Sequence, residues 1–275
     1  MLPLHLKARP EGPLSLLTIG AHPDDIEIGA GGTLLSLAES EPGLQARYVV
    51  LTGTAERQDE ARDAAHAFLP AADLAVELHD LPEGRLPAAW GQVKEALEQV
   101  ARSCSPHVII APSRDDAHQD HRTIAEIVPT AFRDVLYLAY EIPKWDGDLT
   151  RPSMYVPLSA ETMRRKVELL HKSFPSQRGR DWWDDEVFLG MARLRGMECR
   201  APYAEAFSCT KSVILPAVRS LSACPDGRPD RPAAQRSLDA LLQRPPVDRH
   251  QPRYRVNRLA DGGGVVGGGH HERRR

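Results

Sequence analysis

Leu14-Ser15-Leu16-Leu17-Thr18-Ile19-Gly20-Ala21-His22-Pro23-Asp24-Asp25 decides the fold. An apolar run ends in glycine and gives way at once to an imidazole and two carboxylates, and Gly29-Ala30-Gly31-Gly32 then opens a segment of helical period. A strand, a polar loop and a helix in that order form the opening unit of an α/β sheet. In such sheets, ligand-facing groups sit just past the carboxyl ends of the strands.

The same grammar returns further on. Val108-Ile109-Ile110-Ala111 is fully apolar, as a buried parallel strand should be, and it runs into Pro112-Ser113-Arg114-Asp115-Asp116-Ala117-His118-Gln119-Asp120-His121. Leu14 to Ile19, Tyr48 to Leu51, Leu74 to Leu78, Val108 to Ala111 and Val135 to Ile142 read as strands. Ile28 to Glu39, Glu56 to Leu69, Trp90 to Ser103 and Arg122 to Arg133 read as the helices between them, the last bent near Pro129. This alternation predicts a Rossmann-like α/β fold, a mainly parallel sheet with helices on both faces. In a doubly wound sheet of order 3-2-1-4-5, the first and fourth strands are neighbours at the switch point, so both polar loops open onto one crevice.

From about Pro143 the alternation weakens. Ser159 to Lys172 predicts a helix with Ser159 as N-cap, Asp181 to Met197 a second, and Ala204 to Phe207 a short closing strand. Beyond Leu215 the chain turns to Pro, Arg and Gly, with too little apolar surface to offset its ordering entropy. The expected organisation is one domain over residues 1–215 and a disordered tail over 216–275. The tail holds 12 Arg and no Lys against 6 acidic residues; with a whole-chain charge of −3, residues 1–215 carry −9. An acidic body argues against a nucleic-acid-binding core. No apolar stretch approaches the roughly 20 residues that span a bilayer, and no signal-peptide pattern precedes the first strand, so the expected address is cytoplasmic. The four cysteines show neither C-x-x-C pairing nor the spacing of a disulfide framework.

Each polar cluster has a plain structural reading. Asp24-x-x-Glu27 is a carboxylate analogue of a capping box, and Asp120 is placed to cap the helix that follows it. Capping the first helix needs one carboxylate, which leaves the other and His22 without a purpose. A phosphate cradle fits poorly, because Gly29-x-Gly31-Gly32 is not G-x-G-x-x-G and the loop is acidic. Brought together, the clusters hold what a hydrolytic metal requires. Two imidazoles and a carboxylate bind it with a position left for water, a second carboxylate takes a proton, and a further histidine faces developing charge.

His22-Pro23-Asp24-Asp25 followed by His118-x-Asp120-His121 resembles the LmbE-like, or PIG-L, superfamily of zinc-dependent N-deacetylases acting on N-acetylglucosamine-type groups. The likeness runs from about Ser15 to Lys211, with weaker support from Arg57-x-x-Glu60-Ala61, Ser176-Gln177 and Tyr203-Ala204-Glu205-Ala206-Phe207. It implies that His22, Asp25 and His121 hold Zn²⁺, or another divalent metal such as Fe²⁺. It further implies that Asp24 is the general base, that His118 faces the scissile carbonyl, and that Asp120 orients a histidine.

For the substrate, Tyr140, Lys144 and Trp145 are expected to rim the crevice, Trp145 stacking on a sugar face. Arg57 is placed to reach sugar hydroxyls or to pair on its own helix. Arg178 and Arg180, beside Trp182 and Trp183, suit an anionic substituent, while the Trp pair also reads as an anchor for its helix. The expected activity is hydrolysis of an N-acetyl or other N-acyl group on an amino-sugar conjugate, with no nucleic-acid partner and homo-oligomerisation left open. The alternative is a metal- or sugar-binding regulator without catalysis, which would not need Asp24.

Overall fold

The computed structural model describes residues 3–6 and 12–213; the segment 216–275 lies outside the described residues. Seven strands, β1 (Ser15–Gly20), β2 (Gln45–Thr52), β3 (Asp73–Leu81), β4 (Val108–Pro112), β5 (Leu136–Tyr140), β6 (Met154–Leu158) and β7 (Tyr203–Ser208), form one sheet. Its order is β3-β2-β1-β4-β5-β7-β6. β1 to β5 run parallel, and β7 is antiparallel to both β5 and β6. The chain reverses direction of travel across the sheet at β1 and β4, which pair through Leu16–Val108, Leu17–Ile109 and Thr18–Ile110.

Among the described residues the α-helices are α1 (Asp25–Ser40), α2 (Ala55–Phe68), α3 (Trp90–Ser103), α4 (Gln119–Ala131), α5 (Ala160–Ser173) and α6 (Asp185–Cys199). Strand side chains alternate between two cores, as the period of two requires. Leu16, Tyr48, Val50, Val108 and Ile110 meet α1, α2, α5 and α6 on one face. Leu17, Val49, Leu51, Ile109 and Ala111 meet α3 and α4 on the other. Both faces are covered, which is why these strands read as continuous apolar runs.

Several boundaries differ from the sequence expectation for physical reasons. α1 begins at Asp25, three residues before its apolar period starts, because the loop of His22 to Asp24 runs directly into the helix. α4 begins at Gln119, so Asp120 and His121 occupy its first turn. β6 is unforeseen, since Pro157 interrupts its pattern; an outermost strand tolerates proline because one side has no partner to bond. No helix among the described residues is long and apolar enough to cross a membrane.

The glycine run of α1 serves close packing. A Cβ on Gly29 would lie 2.7 Å from the Tyr140 ring, and one on Gly31 would lie 2.7 Å from Phe68. At Gly32 the helix backbone itself is reached: Glu205 on β7 accepts from Gly32 N at 2.8 Å and Thr33 N at 2.6 Å. Lys166 on α5 closes this arrangement, donating to Ile28 O and to Glu205 Oε1, each at 2.6 Å. Side chains at these glycines would push α1 away from the sheet and move the loop in front of it.

Candidate metal centre

The loop after β1 carries His22 and Asp24, with Asp25 opening α1, and the loop after β4 carries Asp116 and His118, with Asp120 and His121 opening α4. Asp25 secures its own loop, its Oδ2 accepting from Ala21 N at 2.9 Å and His22 N at 2.8 Å. The same oxygen lies 3.4 Å from His22 Nδ1 and 3.2 Å from His121 Nε2. Those two nitrogens are 3.3 Å apart. Three donor atoms from opposite sides of the switch point therefore converge on one spot.

The far nitrogen of each ring is also occupied. His22 Nε2 lies 3.2 Å from Asp120 Oδ2, and His121 Nδ1 lies 2.8 Å from Asp116 Oδ2. A carboxylate can only accept, so each of these nitrogens carries the proton, and in the neutral rings the convergent nitrogens hold lone pairs. Two nitrogen lone pairs and a carboxylate oxygen facing one another repel unless a cation or protons lie among them. The donor set thus fits a divalent metal such as Zn²⁺.

The electrostatics point the same way. Burial alone would lower the His22 imidazole, but the Asp25 charge and hydrogen bonds to Asp120 and Asp25, with Asp24 behind them, raise it to about 10. His121, opposed by burial in the same manner, is carried to about 9 by Asp25 and Asp116. Burial works to raise Asp25 too, yet the charges on His121 and His22 hold it well below the usual carboxylate range. Protons fill the place of a cation here, and a cation competes with them.

Asp24 stands apart from this triangle. It adopts φ 108°, a left-handed conformation rare for any residue but glycine, and its side chain does not cap α1. The capping-box reading of Asp24 and Glu27 is therefore not what the fold uses. Asp24 Oδ2 accepts from Arg57 Nη2 at 3.1 Å, and the same nitrogen donates to Pro23 O at 2.7 Å. Burial raises Asp24, Arg57 opposes it, Asp25 adds to it, and the result is about 7. That is the range a general base needs near neutral pH.

His118 is the N-cap of α4, its Nδ1 accepting from Asp120 N at 3.2 Å. Asp120 does not cap the helix; it accepts from Gly84 N at 2.6 Å and Leu86 N at 2.9 Å while holding His22. With Nδ1 of His118 accepting, the proton of the neutral ring sits on Nε2. Burial, and then the charges on His121 and His22, lower this imidazole and keep it neutral. One nitrogen from each of His22, His118 and His121 falls within 4.8 Å of the others, so an all-imidazole set is a second geometric option. The shorter separations around Asp25 favour the mixed set.

Of the expected substrate residues, Trp145 is 72% exposed on the loop after β5. Tyr140 does not rim the crevice: it is fully buried against Gly29, its hydroxyl donating to Ile19 O at 3.1 Å. Arg57 is engaged with Asp24 and, through Nη1, with Glu83 at 3.3 Å. Lys144 forms ion pairs with Asp116 and Asp148. Arg178 turns to α5, where Nε and Nη2 both donate to His171 O, while Arg180 is exposed. Trp183 anchors α6 among Phe174 and Phe188, the anchoring role that the sequence also offers for the Trp pair. A cavity of about 20 Å³ behind the α1 glycines, lined in part by Lys166, Arg195 and Glu205, holds little more than a water and is no sugar site.

Sequence reasoning passed over the loop that brings Glu83, Gly84 and Leu86 to the site. Pro82-Glu83-Gly84, a turn signal directly after the third strand on the crevice side of the sheet, was available to find it. Asp116, quoted within its cluster, carried no role.

Residues 17–132 match the PIG-L family model, described as GlcNAc-PI de-N-acetylase. A relative from Escherichia coli (strain K12), the uncharacterized deacetylase YaiS, is 30% identical over 171 residues, covering 57% of this chain and 89% of the relative. Among solved structures, N,N'-diacetylchitobiose deacetylase from Pyrococcus horikoshii is similar with a TM-score of 0.58 at 20% identity, over 72% of this chain and 84% of that one. GalB, the 4-carboxy-2-hydroxymuconate hydratase of Pseudomonas putida KT2440, is similar with a TM-score of 0.61 at 18% identity, over 74% and 99%. One fold thus serves a deacetylase and a hydratase, and likeness of backbone does not select the reaction. Membership rests instead on sequence, on the matched family model and on the coverage of YaiS: the chain belongs to the PIG-L, or LmbE-like, family of deacetylases.

Proposed function

We propose that this protein is a divalent-metal-dependent N-deacetylase that hydrolyses the N-acetyl amide of an amino-sugar conjugate, with Zn²⁺ as the expected metal. The observation that carries the reading is the convergence of His22 Nδ1, Asp25 Oδ2 and His121 Nε2 beside a carboxylate, Asp24, that takes no part in the triangle. A regulator that only bound metal or sugar would have no use for that fourth group.

His22, Asp25 and His121 would hold a divalent cation, which would supply Lewis acidity toward water and the amide carbonyl. Asp24, poised near neutrality, accepts the proton of the attacking water and can return it to the leaving amine nitrogen. Arg57 steadies that carboxylate and limits how far burial raises it. His118 offers Nε2–H to the oxygen on which charge develops. Water and amide thereby become acetate and free amine. Trp145, exposed on the loop next to the second cluster, offers an aromatic face to the sugar.

The test uses full-length protein loaded with Zn²⁺ and a panel of N-acetylglucosaminyl conjugates, N,N'-diacetylchitobiose among them, with acetate and amine release followed with and without chelator. Chelator-sensitive release is expected. The Asp24→Asn variant should keep its metal and lose about 10²- to 10⁴-fold in kcat, since an amide preserves shape but takes no proton. Absence of release across the panel overturns the reading, and metal loss in Asp24→Asn turns that residue into a ligand.

A further inference from the structure

Lys144 reads from the sequence as a substrate contact, yet its Nζ lies 3.0 Å from Asp116 Oδ2 and 2.6 Å from Asp148 Oδ2. Each of these carboxylates is fastened to the loop after β4. Asp148 Oδ2 accepts from Ala117 N at 2.6 Å, and Asp116 Oδ1 accepts from His118 N at 2.7 Å. Asp116 Oδ2 meets the Nδ1 of His121 at 2.8 Å, and Arg122 Nη1 donates to Asp116 O at 2.9 Å. One ammonium therefore bridges two carboxylates that together hold the backbone on both sides of Ala117 and the ring of His121.

Two unneutralised carboxylates this close in a half-buried loop would repel, and Asp116 would turn toward water. The His121 ring would then lose the acceptor that keeps its proton on Nδ1 and its Nε2 lone pair directed at His22 and Asp25. Lys144 prevents this by compensating both charges at once. We propose that Lys144, Asp116 and Asp148 form a positioning relay in which Lys144 acts through Asp116 to fix the tautomer and direction of the metal-holding His121 imidazole, rather than binding substrate. The relay also pins the loop that displays Trp145. This inference rests on the reading of His22, Asp25 and His121 as the metal-holding set.

Substrate-free metal binding separates the alternatives, because a residue that only touches substrate leaves it unchanged. Chelator-stripped full-length protein is titrated with Zn²⁺ in competition with a chromophoric chelator, for the unmodified protein and for Asp116→Asn, Lys144→Met and Lys144→Arg. Asp116→Asn should weaken Zn²⁺ by about 10- to 100-fold. Lys144→Met should weaken it in the same direction but less, about several-fold, and Lys144→Arg, which still bridges two carboxylates, should restore it. Ring ¹⁵N shifts of His121, assigned against His121→Gln and recorded on Zn²⁺-loaded protein, should report Nδ1–H in the unmodified protein and a mixture in Asp116→Asn. If the unmodified protein binds no Zn²⁺, the metal-site reading itself fails. If it binds Zn²⁺ and Lys144→Met binds equally well, with the His121 tautomer unaltered in Asp116→Asn, the relay is overturned while the metal site stands.

Discussion

Asp24 sits in a conformation that costs an L-residue about 1–3 kcal/mol, and it persists because its neighbours leave no alternative. Pro23 O is held by Arg57, the Pro23 ring packs on Gly53, and Asp25 ties down Ala21 and His22. The strain leaves Asp24 outside the donor triangle although it is adjacent in sequence to a member of it. His118 is separated from the triangle by a different device, its Nδ1 being taken by the first turn of α4. His118→Ala is therefore expected to retain metal and to lose kcat and kcat/KM together, since an interaction made only in the transition state lowers both. Loss of metal in His118→Ala would select the all-imidazole set. Glu27 offers a test without catalysis: it is fully buried, and burial raises it from 4.5 to about 8. A raised carboxyl contributes fully below about pH 4.5, and its contribution is lost as pH climbs through 8, because the unfolded chain ionises first. Metal-free Glu27→Gln should thus gain melting temperature over the unmodified protein at pH 8 and gain less at pH 5. An equal difference at both values would show that Glu27 is ionised in the fold.

Among the elements, α1 is where local sequence and long-range contact meet. Its glycines are visible in the sequence, but the reason for Gly32 lies 173 residues away, in the Glu205 carboxylate that reaches Gly32 N and Thr33 N. The alternating strands and the two polar loops are legible because each is written in contiguous residues with a clear period. Glu205, Lys166 and Asp116 are not, since nothing in a single segment distinguishes a buried acid with a distant partner from a solvated one. Tyr140 shows the same limit: its place at the end of a strand suggests the rim, while the missing Cβ of Gly29 draws its ring inward. Glu205→Ala would leave the Lys166 ammonium buried with Ile28 O as its partner and free two backbone donors inside α1. Denaturant unfolding should show a loss of about 3–5 kcal/mol, the usual consequence of orphaning a buried charge. The Lys166→Met, Glu205→Ala double variant should lose less than the sum of the single changes. Strict additivity would mean that the two side chains do not act as a pair.

Across the whole molecule, the donor triangle draws one histidine from the loop after β1 and another from α4, 99 residues apart, and both lie where the two halves of the sheet meet. A cation bound there links these halves only in the folded chain, so metal binding is also folding free energy. At a free metal concentration 100 times Kd the gain is about 2.7 kcal/mol, or about 5–10 °C in melting temperature for a body of this size. That gain must depend on pH. His22 and His121, lifted to about 10 and about 9 by the surrounding carboxylates, carry protons at neutrality in the absence of metal, and both convergent nitrogens must give them up to ligate. Metal binding should accordingly release up to two protons per chain, and the Zn²⁺-induced rise in melting temperature should be larger at pH 8 than at pH 7 and smallest at pH 6. Calorimetric titration in two buffers of different ionisation enthalpy counts the protons directly. A rise that is the same at all three pH values, with no proton release, would mean that the metal binds away from His22 and His121.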